Sequence, residues 1–318
     1  MLPSLPRLGP ATSPRSQDRL TATHTLFAVA TDPSAMQVDH VAFGWDDLDP
    51  VRGALEAVGL PFDYGGAHAD GTTHMALTGF EDDSYVEYLA PTPGTPPTDA
   101  GFWPDALAAR AGPAAWSVRG DDVAREARRA IDAGFAVEGP LHGGRDRPDG
   151  RRVEWDQVFE RVDSPDRWLL PFPIVDRTPR EWRVSPTDGV TALSGVETVV
   201  LGVESVDDAA ALFDRRYRTP APVPVAGDGD AAVARVGVEG SAATDGTAVV
   251  PGFPLAFVRA SESRLDRVGE RPVAVLLAAD DLGAARRAYD LTVPVEWNAR
   301  RLAWFDHDVL RGRVGVVE

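Results

Sequence analysis

Four times along the chain a short apolar strand runs through an acidic or Ser-bearing turn into an amphipathic helix, and this repetition restricts the fold more than any other feature. The copies begin "VDHVAFGWDDLDPVRGALEAVGL", "AAWSVRGDDVAREARRAIDAGF", "VETVVLGVESVDDAAALFDRRY" and "VAVLLAADDLGAARRAYDL". Their turn Asp and Ser residues suit helix N-caps, and Gly59 and Gly134 stand where a helix end needs left-handed backbone. Val51, Leu55 and Val58 fall on one face of the first helix, and Val123, Ala127 and Ile131 on one face of the second. After each helix come alternating apolar stretches broken by Gly, Asp and Pro, such as "LPFDYGG", "THMALTGF" and "SYVEYLA" in the first copy. Each copy therefore reads as a β-α-β-β-β unit, and the chain as an α+β protein. The units cover 36–91, 113–177, 194–260 and 270–318, paired into domains at 36–178 and 190–318. Residues 1–35, rich in Pro, Ser and Thr, have neither period and are expected to be a disordered tail, with Met36 as the natural start.

Composition removes much chemistry. All 32 basic residues among the 318 are arginine, set against 49 acids for a net charge of -17. Without lysine there is no Schiff base and no Walker-type phosphate loop, and the acidic field argues against nucleic acid. Without cysteine there are no thiol nucleophiles, disulfides or thiolate metal sites. Such a charge balance resembles that of salt-loving microbes, where a dense carboxylate surface stays hydrated. No apolar run approaches the roughly 20 residues that cross a bilayer. A cytoplasmic protein, monomer or homodimer, with a small molecule and neither nucleic acid nor membrane as partner, is expected.

The order "VDHVAF", "HADGTTHMALTGFEDDSYVEYLAP", "GFWPDALAARAGPAAWSVRGDDV" and "RDRPDGRRVEW" resembles the vicinal oxygen chelate superfamily, in particular its glyoxalase-like domain, over about half of the chain. Copies three and four match only the repeat. The resemblance implies that paired units curve their mixed sheets around a cavity with the helices outside. It also implies His40 and Glu87, on the first and last strands of the unit, as usual ligand positions.

Strand parity bears on the same residues, since alternate side chains face opposite sides. With Val41 and Phe43 under the helix, His40 faces the cavity. With Met75 and Leu77 assigned to the helix side, His74 faces the cavity, and Glu87 joins them from "SYVEYLA". Two imidazoles and a carboxylate suit a divalent metal (Fe, Mn, Ni or Zn) with open positions, Glu87 or a metal-bound water acting as base. The superfamily resemblance leaves isomerase, lyase and dioxygenase chemistry on a small oxygenated substrate all open. The same histidines could instead bind a ligand without metal, in a non-catalytic sequestering protein. Ala115, Thr198 and Ala274 replace His40 in the other copies, so any site belongs to the first, and the second domain reads as degenerate. In "GGRDRPDGRR", Arg147 and Arg151 are candidates to clamp an acidic substrate, unless they only balance surface acids. Trp155 is a candidate cavity wall or a core aromatic. His24, His68 and His142 receive no role, and His307 a structural one.

Overall fold

The four turn residues cap the helices that follow them. In this computed structural model, which describes residues 36–101, 103–108, 112–161, 163–164, 166–225, 247–260 and 269–318, the Asp47 side chain accepts from the backbone N–H of Asp49. Asp122 accepts from Ala124 and Arg125, Ser205 from Asp208 and Asp281 from Gly283. Gly59 and Gly134 take φ of 77° and 82° beyond their helices, where a side chain would be strained. The tail expected over 1–35 lies outside the described residues, as do 226–246 of the third unit.

The order strand, helix, three strands recurs. It comprises β1 (Val38–Gly44), α1 (Leu48–Val58), β2 (Asp63–His68), β3 (Thr73–Gly79) and β4 (Tyr85–Pro91). After α2 (Pro104–Ala108) come β5 (Gly112–Arg119), α3 (Val123–Asp132), β6 (Val137–Asp146), β7 (Arg152–Glu160) and β8 (Phe172–Asp176). The short α4 (Arg180–Arg183) leads into β9 (Gly195–Val203), α5 (Val206–Tyr217), β10 (Val223–Pro224), β11 (Thr247–Val249) and β12 (Leu255–Arg259). Last come β13 (Arg271–Ala278), α6 (Leu282–Ala288), β14 (Val295–Trp297), β15 (Arg300–Trp304) and β16 (Val314–Val317).

The first eight strands close into a barrel in the order β1-β4-β3-β2-β6-β7-β8-β5. The others form a sheet in the order β10-β11-β12-β9-β13-β16-β15-β14, in which β10 and β14 stay apart at the edges. Mixed α+β architecture with two curled eight-stranded sheets is what the unit pattern predicts. One apolar cluster runs from Val51, Leu55 and Val58 of α1 through Val41, Phe43, Val86 and Trp116 to Phe213, Phe257 and Val275 of the second sheet. The concave side of that second sheet is filled by Val200, Ala274, Leu276, Trp297, Leu302 and Trp304. Ile131 is a correction: it is 56% exposed, and α3 buries Ala127 and Ala130 instead, because at 3.6 residues per turn Ala130 lies about 20° around the helix from Val123 and Ile131 about 80°. His307 lies in a turn after β15, its Nδ1 accepting from the Val309 N–H at 3.2 Å.

Candidate functional site

Strand β1 is held between β4, parallel, and β5, antiparallel, so that His40 lies beside Tyr85 and Ala42 beside Glu87. Tyr85, Glu87 and Leu89 alternate onto the barrel interior, and His40 joins them from β1. Both ligand-capable residues are nearly buried, at 3% and 5% exposure. The Tyr85 ring stacks on the His40 imidazole at 4.7 Å, and Phe172 of β8 meets it edge-on at 5.6 Å. The imidazole plane is thus fixed by packing.

Strand β3 has the opposite parity to the one expected. Met75 pairs with Leu89 and Leu77 with Glu87, and opposed residues of an antiparallel pair share a face. Met75 and Leu77 therefore point inward and His74 outward, where its Nδ1 lies 3.3 Å from the Tyr64 hydroxyl in a depression shared with Asp46, Asp47 and Asp49. Burial pushes the His74 pKa down. Apolar character could not choose the face, because the barrel interior is itself largely apolar, with Ala42, Met75, Leu77 and Leu89 among its side chains.

The second imidazole comes from His68. It ends β2, its Nδ1 lies 2.8 Å from the Thr73 hydroxyl on the neighbouring strand, and its Nε2 lies 3.4 Å from Glu87 Oε1. His40 Nε2 lies 3.5 Å from the other oxygen, Oε2. The signal for His68 was the Gly pair in "DYGGAH", since glycine inside a strand marks a bulge or a close approach. The β2–β3 register slips between Tyr64 and Gly66. Gly66 has φ of 103°, and a Cβ there would lie 2.0 Å from the Asp146 carbonyl oxygen. Gly66→Ala is expected to cost at least about 2 kcal/mol of stability, from backbone strain and overpacking together, measured by chemical denaturation.

Burial opposes a charge on Glu87, but the His68 and His40 imidazoles and the Arg145 guanidinium outweigh it and hold the pKa down to about 2. Glu87 is a carboxylate at any ordinary pH. Burial pushes the Tyr85 phenol up, so it keeps its proton, and the Arg183 guanidinium donates to its oxygen at 3.2 Å.

These groups line a cavity of about 140 Å³ inside the barrel, walled by Met75, Trp103, Trp155 and Phe172. Trp155 takes the inward position expected of it, edge-on to His68 at 6.3 Å, its indole N–H donating to Gln157 at 3.0 Å. Arg147 and Arg151 do not reach the cavity. Arg147 donates to the Trp182 carbonyl at 2.6 Å and pairs with Asp149, and the Arg151 guanidinium lies over the Trp182 ring at 5.5 Å. The arginine of that cluster which does line the cavity is Arg145, 3% exposed and donating to the carbonyls of Gly65 and Arg183. His142 stands at the rim, its ring nitrogens 3.4 Å from Glu154 and 3.5 Å from Asp156.

Two imidazole nitrogens and a carboxylate are the donor chemistry of a divalent metal. Their spacing also agrees with it. The 3.4 and 3.5 Å separations exceed the length of a charge-assisted hydrogen bond, about 2.7–2.9 Å. They match the roughly 3.4 Å between neighbouring ligands bonded at about 2.0–2.2 Å to a tetrahedral ion. Among the described residues, however, no three His, Asp or Glu side chains already stand as a closed metal-holding group, so the fit rests on donor chemistry and pairwise spacing.

No helix among the described residues is long and apolar enough to cross a membrane. No curated protein matches the chain. Among solved structures, the chain is similar to a hypothetical protein from Staphylococcus aureus, with TM-score 0.57 and 13% identity over 88% of this chain and 98% of that one. It is also similar to a mutant 4-hydroxymandelate synthase from Streptomyces coelicolor, with TM-score 0.51 and 13% identity over 89% and 91%. A third is the Mn(II)-bound glyoxalase from Novosphingobium aromaticivorans, with TM-score 0.50 and 12% identity over 89% and 81%. At these identities the likeness is one of fold. The model of the glyoxalase-like domain matches residues 38–215, more than half of the chain and all of the barrel, and the chain belongs to that family.

Proposed function

We propose that this protein is a divalent-metal-dependent enzyme acting on a small oxygenated substrate in the barrel cavity, with His40, His68 and Glu87 as the residues that hold the metal. The observation that carries the reading is the approach of both Nε2 atoms to the two oxygens of one buried, ionised carboxylate, each imidazole having its Nδ1 engaged elsewhere. A metal bound there would polarise a substrate oxygen and acidify a bound water. Glu87 supplies the negative charge, Tyr85 a phenolic O–H, and the Trp103, Trp155 and Phe172 walls receive the apolar part of the substrate while limiting water. The reaction type is proposed to fall among isomerisation, elimination and oxygenation, which the fold does not distinguish. The protein is proposed to work in the cytoplasm as a monomer or homodimer, its charge of -17 suiting a salt-rich interior.

One observation favours a second reading. The lack of a closed three-ligand group among the described residues suits a metal-free pocket that binds and sequesters a small molecule. Elemental mass spectrometry on untagged protein separates the two. The metalloenzyme reading predicts about one metal per chain in wild type and in His74→Ala, and its loss in His40→Ala and His68→Ala. Metal-free wild type after incubation with Fe, Mn, Ni or Zn would leave the sequestering reading.

A further inference from the structure

We infer that Asp39 is a positioning residue that fixes the His40 tautomer with its proton on Nδ1, and that the bulge in β1 is what brings it there. The inference rests on the reading of His40 as a functional side chain, and its test does not require a bound metal.

Neighbours in a regular strand point to opposite faces, so Asp39 should lie on the far side of β1 from His40. It does not: Asp39 Oδ1 lies 2.7 Å from His40 Nδ1. The β1–β5 register explains the contact. Val38 pairs with Val118 and His40 with Ser117, so two steps on β1 oppose one on β5 and Asp39 is the extra residue.

Asp39 is held as an acceptor from several sides. It is 1% exposed, the Arg180 guanidinium donates to its Oδ2 at 2.5 Å, and Arg183 lies 3.4 Å from Oδ1. Both arginines are in α4 and are themselves tied to Asp176, at 3.2 and 3.0 Å. Arg119 approaches Oδ2 at 3.9 Å. Guanidinium groups at both of its oxygens mark Asp39 as the ionised acceptor of this cluster. A carboxylate only accepts, so the His40 nitrogen it touches must carry hydrogen. The other nitrogen, Nε2, faces the cavity 3.5 Å from Glu87, beyond the length of a normal N–H···O hydrogen bond.

The test is ¹⁵N NMR of imidazole-labelled protein at pH 8, with His40→Gln assigning the His40 signals. The expected wild-type spectrum has Nδ1 protonated and Nε2 not. In Asp39→Asn the amide oxygen must stay with Arg180, which turns the NH2 group toward His40. Nδ1 then accepts, and the proton moves to Nε2. Mn(II) affinity should fall roughly 10- to 100-fold in the same variant, with an unchanged circular dichroism spectrum. A wild-type His40 protonated at Nε2, whether at that nitrogen alone or at both, overturns the proposal. So does a folded Asp39→Asn variant that keeps the wild-type pattern. The wild-type spectrum decides the matter even if that variant fails to fold. Loss of the tautomer shift together with intact metal binding would sink this inference and not the metal reading, whereas a tautomer shift in a protein that binds no metal would do the reverse.

Discussion

Replacing Glu87 by Gln is expected to lower Mn(II) affinity by at least about 100-fold, measured by calorimetric titration. Substitutions one shell further from a metal already cost about 10- to 100-fold, and Glu87 lies between His40 and His68, 3.5 and 3.4 Å from their Nε2 atoms. The amide has the same shape, so packing against Tyr85 and Leu89 is preserved and the change isolates the charge. The pH dependence has a definite sign. A carboxyl whose folded pKa is lowered contributes stability that is fully present above its unfolded value and disappears as the pH falls through the folded one. For Glu87 that window runs from the usual carboxylate range down to about 2. Ligand binding that weakens between pH 7 and 5 in wild type therefore has a source other than protonation of Glu87. An unchanged Mn(II) affinity in Glu87→Gln would remove Glu87 from the site.

Glu160→Ala is expected to produce the largest loss of stability among single polar substitutions, about 3–5 kcal/mol by denaturant titration. Glu160 ends β7 of the barrel, and both its oxygens accept from Arg216 of α5, at 2.8 and 2.9 Å from Nε. The two side chains are 1% and 3% exposed, so removing the acid leaves the buried guanidinium with Glu126, at 3.2 Å, and the face of the Tyr217 ring, at 4.5 Å, in place of a partner that took two bonds. Close by, Trp116 of β5 stacks on Phe213 of α5 at 6.3 Å, so this pair lies where the barrel meets the second sheet. Replacing both partners by apolar residues, Glu160→Leu with Arg216→Met, should recover most of the loss, because the unmatched charge and not the missing attraction sets the cost. A loss below about 1 kcal/mol in Glu160→Ala would mean that water reaches the pair.

The unit order was legible because it is written in local chemistry. Asp47, Asp122, Ser205 and Asp281 announce four helix starts, and each helix begins where its cap allows. His40 and Glu87 were readable by alternation, since β1 and β4 each had one face identified by residues packing under a helix, and Trp155 was placed by the alternation of β7 itself. His74 was misplaced for a physical reason. Parity on β3 depends on its register with β4, a tertiary property. His68, given no role, ends β2 beyond the irregularity at Gly65 and Gly66, where Met75 and the Asp146 carbonyl approach too closely for a side chain. Arg145 and Arg147 differ in the same way: two residues apart and alike in sequence, one is drawn into the barrel by carbonyls of Gly65 and Arg183, and the other is held outside by Asp149 and Trp182. The second sheet keeps the strand order of the barrel, but its interior is filled by Trp297, Trp304 and their neighbours.

On the proposed reading His40, His68 and Glu87 act on one bound ion, with His74 uninvolved. Anomalous diffraction at the manganese edge, on crystals grown with Mn(II), tests it most directly. One strong peak is expected inside the barrel within bonding distance, about 2.0–2.3 Å, of His40 Nε2, His68 Nε2 and a Glu87 oxygen. No peak there, or a peak in the outer depression beside His74 and Asp47, would contradict it.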